Sequence, residues 1–254
     1  MTKIGIIGGS GLDDPKILKN AKEIKVKTPY GEPSSPLTAG RIGNAEVVML
    51  ARHGRRHTVP PTQVNYRANL SALKQQGCTH VLATTACGSL REKIRRGDFV
   101  VLDQFIDFSR RRQLSFYEKF EPGIENSKHT PMADPFDGFL RAQMIAAAGA
   151  LKLRCHPRGT LVTIEGPRFS TRAESNMFRS WGADVINMTV ATEAALAREL
   201  ELPYAAVAVS TDYDCWKTDE EPVTMADILR VFAQNVENLK KLLLKTIALI
   251  GVEK

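Results

Sequence analysis

Only four of the 254 residues are cysteine, Cys78, Cys87, Cys155 and Cys215, and no two of them form a C-x-x-C pair or stand at a zinc-type spacing from histidine. That excludes a disulfide framework and a zinc module, and it fits reduced thiols in a cytoplasmic protein. No apolar run reaches membrane-spanning length, and Lys240, Lys241 and Lys245 interrupt the C-terminal apolar pattern, so no membrane partner is expected. A basic-then-apolar leader is not expected either, because a strand pattern begins at Lys3. There is no internal repeat, low-complexity segment or linker, and 1–254 is expected to be one domain. Aromatic residues are sparse at 7%, and the basic clusters Arg91–Arg96 and Arg110–Arg112 contain none. Binding of single-stranded nucleic acid needs stacking side chains among its cations, so these clusters are expected to be solvated surface. The net charge of +7 still permits a small anionic ligand.

Against these absences stands the stretch Val207-Ala-Val-Ser-Thr-Asp-Tyr-Asp-Cys-Trp216. Its apolar start reads as a buried strand. Asp212 and Asp214 then project to one side if the extended backbone persists past Thr211. Two adjacent carboxylates at the end of a buried strand repel, so one is expected to have a raised pKa and to serve as a proton donor. A solvated Asp-rich turn or a divalent-cation site are the alternatives that the pair alone leaves open.

Other strand patterns end in small or polar residues. Lys3–Gly8 leads into Gly9-Ser-Gly-Leu12, whose glycines and Ser10 hydroxyl suit an anion. No G-x-G-x-x-G pattern and no following lysine support a dinucleotide or Walker loop. Glu46–Ala51, paired with the hairpin from Leu37, leads into Arg52-His-Gly-Arg-Arg-His57, whose guanidinium groups suit phosphate oxygens. His80–Thr85 is expected to end in Ala86-Cys-Gly-Ser89, and Asp184–Thr189 carries Asn187 to its end. Phe99–Leu102 and 159–164 are further strands, and 64–76, 139–153, 172–181 and a stretch capped by Thr192 are helices. Thr224 and Asp227 form a capping-box pattern ahead of a helix that runs to Ile250. The polar segment from Ser109 to Met132 is too long for a plain connection and points to function or an interface. The fold class is therefore α/β: a single domain with a mixed central sheet flanked by helices. The polar residues at strand ends form one candidate site, since ligands of such sheets bind outside the strand ends.

Taken together and in order, Ile4–Gly11, Ala51–His57, Thr84–Leu90, Thr163–Ser170, Trp181–Thr189 and Thr211–Lys217 resemble the S-methyl-5′-thioadenosine phosphorylase family, the adenosine-type branch of the trimeric purine nucleoside phosphorylases. The likeness runs from Lys3 to about Ile250. It implies phosphorolysis of methylthioadenosine in methionine and purine salvage, with inorganic phosphate as co-substrate and no metal or organic cofactor. By position in the motifs, phosphate would sit among Ser10, Arg52, His53, Thr85, Ala86 and Thr189. Asn187 and Met188 would meet the substrate, with Met188 packing on the ribose. Cys87, Gly88, Phe169, Ser170 and Ile186 would line the base pocket, and Met225, Ile228 and Leu229 the apolar pocket for the methylthio group. His129 would close that pocket from a neighbouring subunit, which makes a homotrimer the expected assembly. Two positions depart from the family pattern: Ser10 is often threonine there, and Met225 is usually smaller.

The carboxylate pair fits this chemistry independently. A protonated Asp212 can donate to N7 of adenine, and Asp214 can accept from the N6 amine. A 6-oxopurine presents an acceptor instead, so a sibling phosphorylase acting on 6-oxopurine nucleosides is disfavoured. A non-catalytic binder of nucleic acid or dinucleotide is the remaining alternative class.

Overall fold

The computed structural model describes residues 2–9, 17–219 and 224–251. In chain order these hold β1 (Lys3–Gly8), β2 (Lys19–Ile24), β3 (Leu37–Ile42), β4 (Ala45–Ala51), α1 (Tyr66–Gln75), β5 (His80–Ser89), β6 (Phe99–Val101), β7 (Gln104–Phe108), α2 (Gly138–Ala150), β8 (Cys155–His156), β9 (Thr160–Ile164), α3 (Arg172–Ser180), β10 (Val185–Asn187), α4 (Val190–Glu199), β11 (Tyr204–Tyr213) and α5 (Met225–Ile250). All the strands belong to one mixed sheet, ordered β2-β3-β4-β1-β5-β10-β9-β7, with β11 pairing β5 and β6, and β8 pairing β6.

Alternation along β11 explains the layering. Ala205, Val207 and Val209 enter one buried cluster with Leu140 and Met144 of α2 and Leu239, Leu243 and Ile247 of α5. Tyr204, Ala206 and Ala208 enter the other, with Leu70 and Leu73 of α1 and Val190, Ala194 and Leu196 of α4. Successive strand side chains point to opposite faces, so a strand apolar on both faces requires helices on both. A third cluster, built on Val162, Ile164, Phe178 and Ile186, extends the core under α3.

Two helix starts carry capping boxes, and one expected cap fails. Thr224 and Asp227 form the expected capping box at α5, and Thr171 with Glu174 forms another at α3. Thr192 does not cap α4: the helix begins at Val190, and the Thr192 hydroxyl accepts a hydrogen bond from Arg112. Arg112 is likewise not surface. Its side chain is almost fully buried, and its guanidinium holds the Glu165 carboxylate and the carbonyls of Ile164 and Glu165. A buried arginine needs a partner, and Glu165 lies too far along the chain for local patterning to reveal it. Strand β5 runs on to Ser89 instead of stopping at Thr85, because β11 and β10 pair with its second half. The segment 109–132 contains only a short helical turn at Ile124–Asn126, as its polar composition indicates.

Candidate active site

The site arises where the partner of one edge of β5 changes. Strand β1 runs parallel to β5 as far as the Ile7–Ala83 register, and β10 runs antiparallel to it through Ile186–Gly88 and Val185–Ser89. The carboxyl ends of β1 and β10 therefore face each other across residues 84–87, which have no strand partner on that edge among the described residues. The opposite edge of β5 is occupied by β11. A break of this kind is where an open α/β sheet takes its ligand. A cavity of about 390 Å³ fills it.

One end of the cavity is built for an anion. Arg52, His53, Thr85, Ala86 and Thr189 line it, together with Gly9. Thr189 is the N-cap of α4, yet its side chain makes no capping bond, which leaves the hydroxyl beside a helix N-terminus of positive partial charge. Asn187 ties the pieces together: its side-chain oxygen accepts from Thr163 (2.8 Å) and from the Thr189 N–H (3.2 Å), and its amide donates to Thr85 Oγ1 (3.1 Å). Gly9 is required for close approach, since a Cβ there would lie 2.8 Å from the Thr84 carbonyl. Ser10 lies outside the described residues.

Arg52 is 1% exposed. Its Nε and Nη2 donate to the two oxygens of Glu193, the second at 2.8 Å, and its Nη1 donates to the Thr84 carbonyl, also at 2.8 Å. A guanidinium has five N–H groups, and three of them are engaged in these bonds. Burial opposes the Arg52 charge, but the Glu193 carboxylate outweighs burial and keeps the group cationic. Glu193 also accepts from the Tyr204 hydroxyl at 2.7 Å. Burial, followed by Glu193, pushes the Tyr204 phenol up, so it remains a donor.

His53 Nδ1 lies 2.9 Å from the Val59 carbonyl, which can only accept, so Nδ1 carries the proton and Nε2 of the neutral ring is an acceptor. Burial and then Arg52 lower the His53 pKa to about 4. The His57 ring also faces it at 4.7 Å. The unfolded chain takes up this proton near pH 6.5 and the folded chain only near pH 4. Stability should therefore fall as pH drops from about 6.5 to about 4. Melting curves of the wild type and His53→Asn across that window check this: the difference between them should shift steadily in favour of the variant toward low pH, and parallel curves would contradict it.

The other end of the cavity carries the acids. Strand β11 bulges at Thr211, between the Ser210–Cys87 and Asp212–Gly88 registers, and continues to Tyr213. Asp212 and Asp214 thus both reach the cavity, one on each side of Tyr213. Thr211 Oγ1 donates to Asp212 Oδ1 at 2.7 Å, and Ser170 Oγ donates to the Asp214 carboxylate at 2.6 and 2.8 Å. A Cβ on Gly88 would sit 3.1 Å from Asp212 Oδ2 and 3.1 Å from the Ile186 side chain, so glycine keeps the floor flat for a ring. Burial, with Asp212 adding to it, holds the Cys87 thiol well above its ordinary pKa, and it lines the cavity as an apolar group. Phe169, Ser170, Ile186, Asn187, Met188 and Ile228 complete the wall. Leu229, 47% exposed, and His129, exposed and packed on Phe120, do not line the cavity of their own chain. Met225 begins α5, but its side chain lies outside the described residues.

Glu193 was not legible in the sequence. It sits 141 residues from Arg52, inside a helix with no local mark of a buried charge. Pro60 and Pro61 at the cavity wall were equally unmarked, and Pro167, also at the wall, lies within the Thr163–Ser170 motif.

Residues 3–248 match the family model described as "Phosphorylase superfamily". An S-methyl-5′-thioadenosine phosphorylase of Danio rerio is 55% identical over 245 residues, covering 96% of this chain and 88% of the relative. The chain belongs to the S-methyl-5′-thioadenosine phosphorylase family. The enzyme of the same name from Xenopus tropicalis is 52% identical, with 98% of this chain and 89% of the relative covered. Among solved structures, methylthioadenosine phosphorylase from Schistosoma mansoni in complex with adenine has a TM-score of 0.94 at 44% identity, covering 100% of this chain and 93% of that one. A mutant of the Schistosoma mansoni adenosine/methylthioadenosine phosphorylase in complex with methylthioadenosine matches with a TM-score of 0.92, also at 44% identity and with the same coverage. The resemblance drawn from the motifs thus holds, as does the fold class. The chain is an enzyme of the pentosyltransferase type. No described helix is long and apolar enough to cross a membrane, and no described cluster of three or more His, Cys, Asp or Glu could hold a metal ion.

Proposed function

We propose that this chain catalyses reversible phosphorolysis of S-methyl-5′-thioadenosine to adenine and 5-methylthioribose 1-phosphate, a salvage reaction that uses inorganic phosphate as co-substrate and needs neither metal nor organic cofactor. The observation that carries this reading is one cavity with an anion cradle at one end and two carboxylates at the other. Phosphate sits among Arg52, His53, Thr85, Ala86 and Thr189, with Ser10 as a further hydroxyl ligand. The two N–H groups of Arg52 that neither Glu193 nor Thr84 engages take two phosphate oxygens. A phosphate oxygen attacks the anomeric carbon as the bond to N9 breaks, and the bound anion stabilises the positive charge that develops on the sugar. Asp212 carries a proton and delivers it to N7, so the base leaves neutral. The proton lost by monohydrogen phosphate on becoming the sugar phosphate balances the one gained by adenine.

Asp214 reads N6. Its carboxylate already accepts from Ser170 and can accept once more from an amine, whereas a 6-oxo group would face it acceptor to acceptor. Asp214→Asn should therefore lower the preference for 6-amino over 6-oxo nucleosides by about 100-fold or more, because the amide can donate to O6. Competition kinetics between methylthioadenosine and methylthioinosine measure that ratio, and an unchanged ratio would remove Asp214 from base recognition.

Ile228 forms the apolar place for the methylthio group, with Met225 on the same helix as the further residue proposed for it, whereas the exposed Leu229 takes no part within its own chain. The assembly is a cytoplasmic homotrimer in which His129 completes a neighbour's pocket. Leu114, Phe120 and Ile124 are exposed on the segment that carries His129, which supports an interface there. The test of the whole reading is adenine release from methylthioadenosine, adenosine and inosine, with and without phosphate. Phosphate-dependent turnover that is best with methylthioadenosine supports it. Equal turnover of inosine favours the 6-oxopurine sibling, and none on any of the three defeats it.

A further inference from the structure

Asp214 stands just past the end of β11, on backbone that the sheet no longer holds. Its N–H reaches back to the Ser89 carbonyl at 3.0 Å. The indole N–H of Trp216 donates to that same carbonyl at 2.8 Å. Arg179 lies over the indole ring, its Cζ 3.8 Å from the centroid, and its own Nε is held by the Leu90 carbonyl at 3.1 Å. Tyr213 meets the ring edge-on at 6.0 Å. The turn 214–217 is thus pegged to the last residue of β5 through an indole fixed on both sides.

We infer that Trp216 is a positioning residue for base recognition: its shared hydrogen bond to Ser89, under the Arg179 guanidinium, sets where the Asp214 carboxylate meets Ser170 and the purine. The inference rests on the proposed reading of the cavity as a nucleoside site. A carbonyl oxygen has two lone pairs, so Ser89 can take both donors, and the Trp216 bond fixes the loop on the far side of Asp214. Phosphate binding lies at the other end of the cavity and does not depend on this peg.

Trp216→Phe keeps an aromatic ring under Arg179 and removes the N–H together with part of the indole surface. It should raise the KM for methylthioadenosine by about fivefold, the equivalent of one ordinary hydrogen bond, and reduce discrimination against the 6-oxo nucleoside, with the KM for phosphate unchanged. A purely structural role would lower the active fraction or the melting temperature and leave both KM values and the discrimination alone, which would overturn the inference. An equal rise in both KM values would overturn it too. A second measurement does not need that variant to fold. Trp181 and Trp216 are the only two tryptophans, so Trp181→Phe isolates the fluorescence of Trp216. Titration of Trp181→Phe with adenine should change that fluorescence saturably, and its absence alongside detectable adenine binding by calorimetry would overturn the peg. If the wild type turns over methylthioadenosine while Trp216→Phe matches it, the inference alone fails. If the wild type turns over no nucleoside, the functional reading fails, and adenine that calorimetry shows not to bind defeats the inference with it.

Discussion

Asp212→Asn is expected to lower kcat for methylthioadenosine phosphorolysis by about 10² to 10⁴-fold while leaving the melting temperature close to that of the wild type. Asparagine has the same shape and can keep the hydrogen bond from Thr211, which reaches Asp212 Oδ1 at 2.7 Å. It can also donate an N–H toward N7, so ground-state binding should change little. What it cannot do is transfer a proton, and the base must then leave with its negative charge uncompensated. The loss should therefore appear in kcat and not in KM, the mark of an interaction made only in the transition state. Steady-state kinetics on a nucleoside with a better leaving base sharpen the test: the defect should shrink as the base needs less protonation. A variant that loses less than tenfold in kcat, or the same factor for every leaving base, would assign the acid role elsewhere.

The second large effect concerns Arg52. Arg52→Met should raise the KM for phosphate by about 100-fold or more and also destabilise the fold by about 3–5 kcal/mol, because it leaves the Glu193 carboxylate buried without its partner. The two consequences can be separated. Replacing the network, as Arg52→Met with Glu193→Met and Tyr204→Phe, removes both charges and the Tyr204 hydroxyl together and leaves only the Thr84 carbonyl without its Arg52 donor. Apolar replacement of a buried ion pair is often neutral or stabilising, so this triple variant should recover most of the lost stability yet keep the high KM for phosphate. Denaturant unfolding and phosphate saturation curves give the two readouts. Recovery of phosphate affinity along with stability would mean that Arg52 serves only the fold. The ion pair with Glu193 leaves Arg52 nearly neutral in sum. Attraction for the anion then comes from two directed N–H groups and the α4 N-terminus rather than from a free charge.

The contrast between these two residues shows how the sequence can and cannot be read. Asp212 and Asp214 were legible because everything needed lies within ten residues: an apolar alternation that must be a buried strand, then carboxylates two apart. The helices were legible for the same reason, since capping and 3.6-residue periodicity are local. Strand β2 escaped because nearly all its side chains are exposed, so no apolar pattern marks it. Strand β7 escaped because Gln104 and Asp107 break its apolar pattern and all five of its side chains are only partly buried.

What the sequence by itself determined was therefore the list of chemical groups, the α/β class and the placement of polar residues at strand ends, and the order of its motifs was enough to indicate the family. Only the tertiary structure decided how those groups are used. It showed that β5 exchanges β1 for β10 along one edge, which opens the cavity, and that Arg52 is shared between Glu193 and the site. It also turned Arg112 inward, from an expected surface position to a buried tie on Glu165. Each of these is a pairing between residues far apart in the chain. Local propensity cannot encode such a pairing, because the cost of burying a charge is met by a partner that the fold alone brings near.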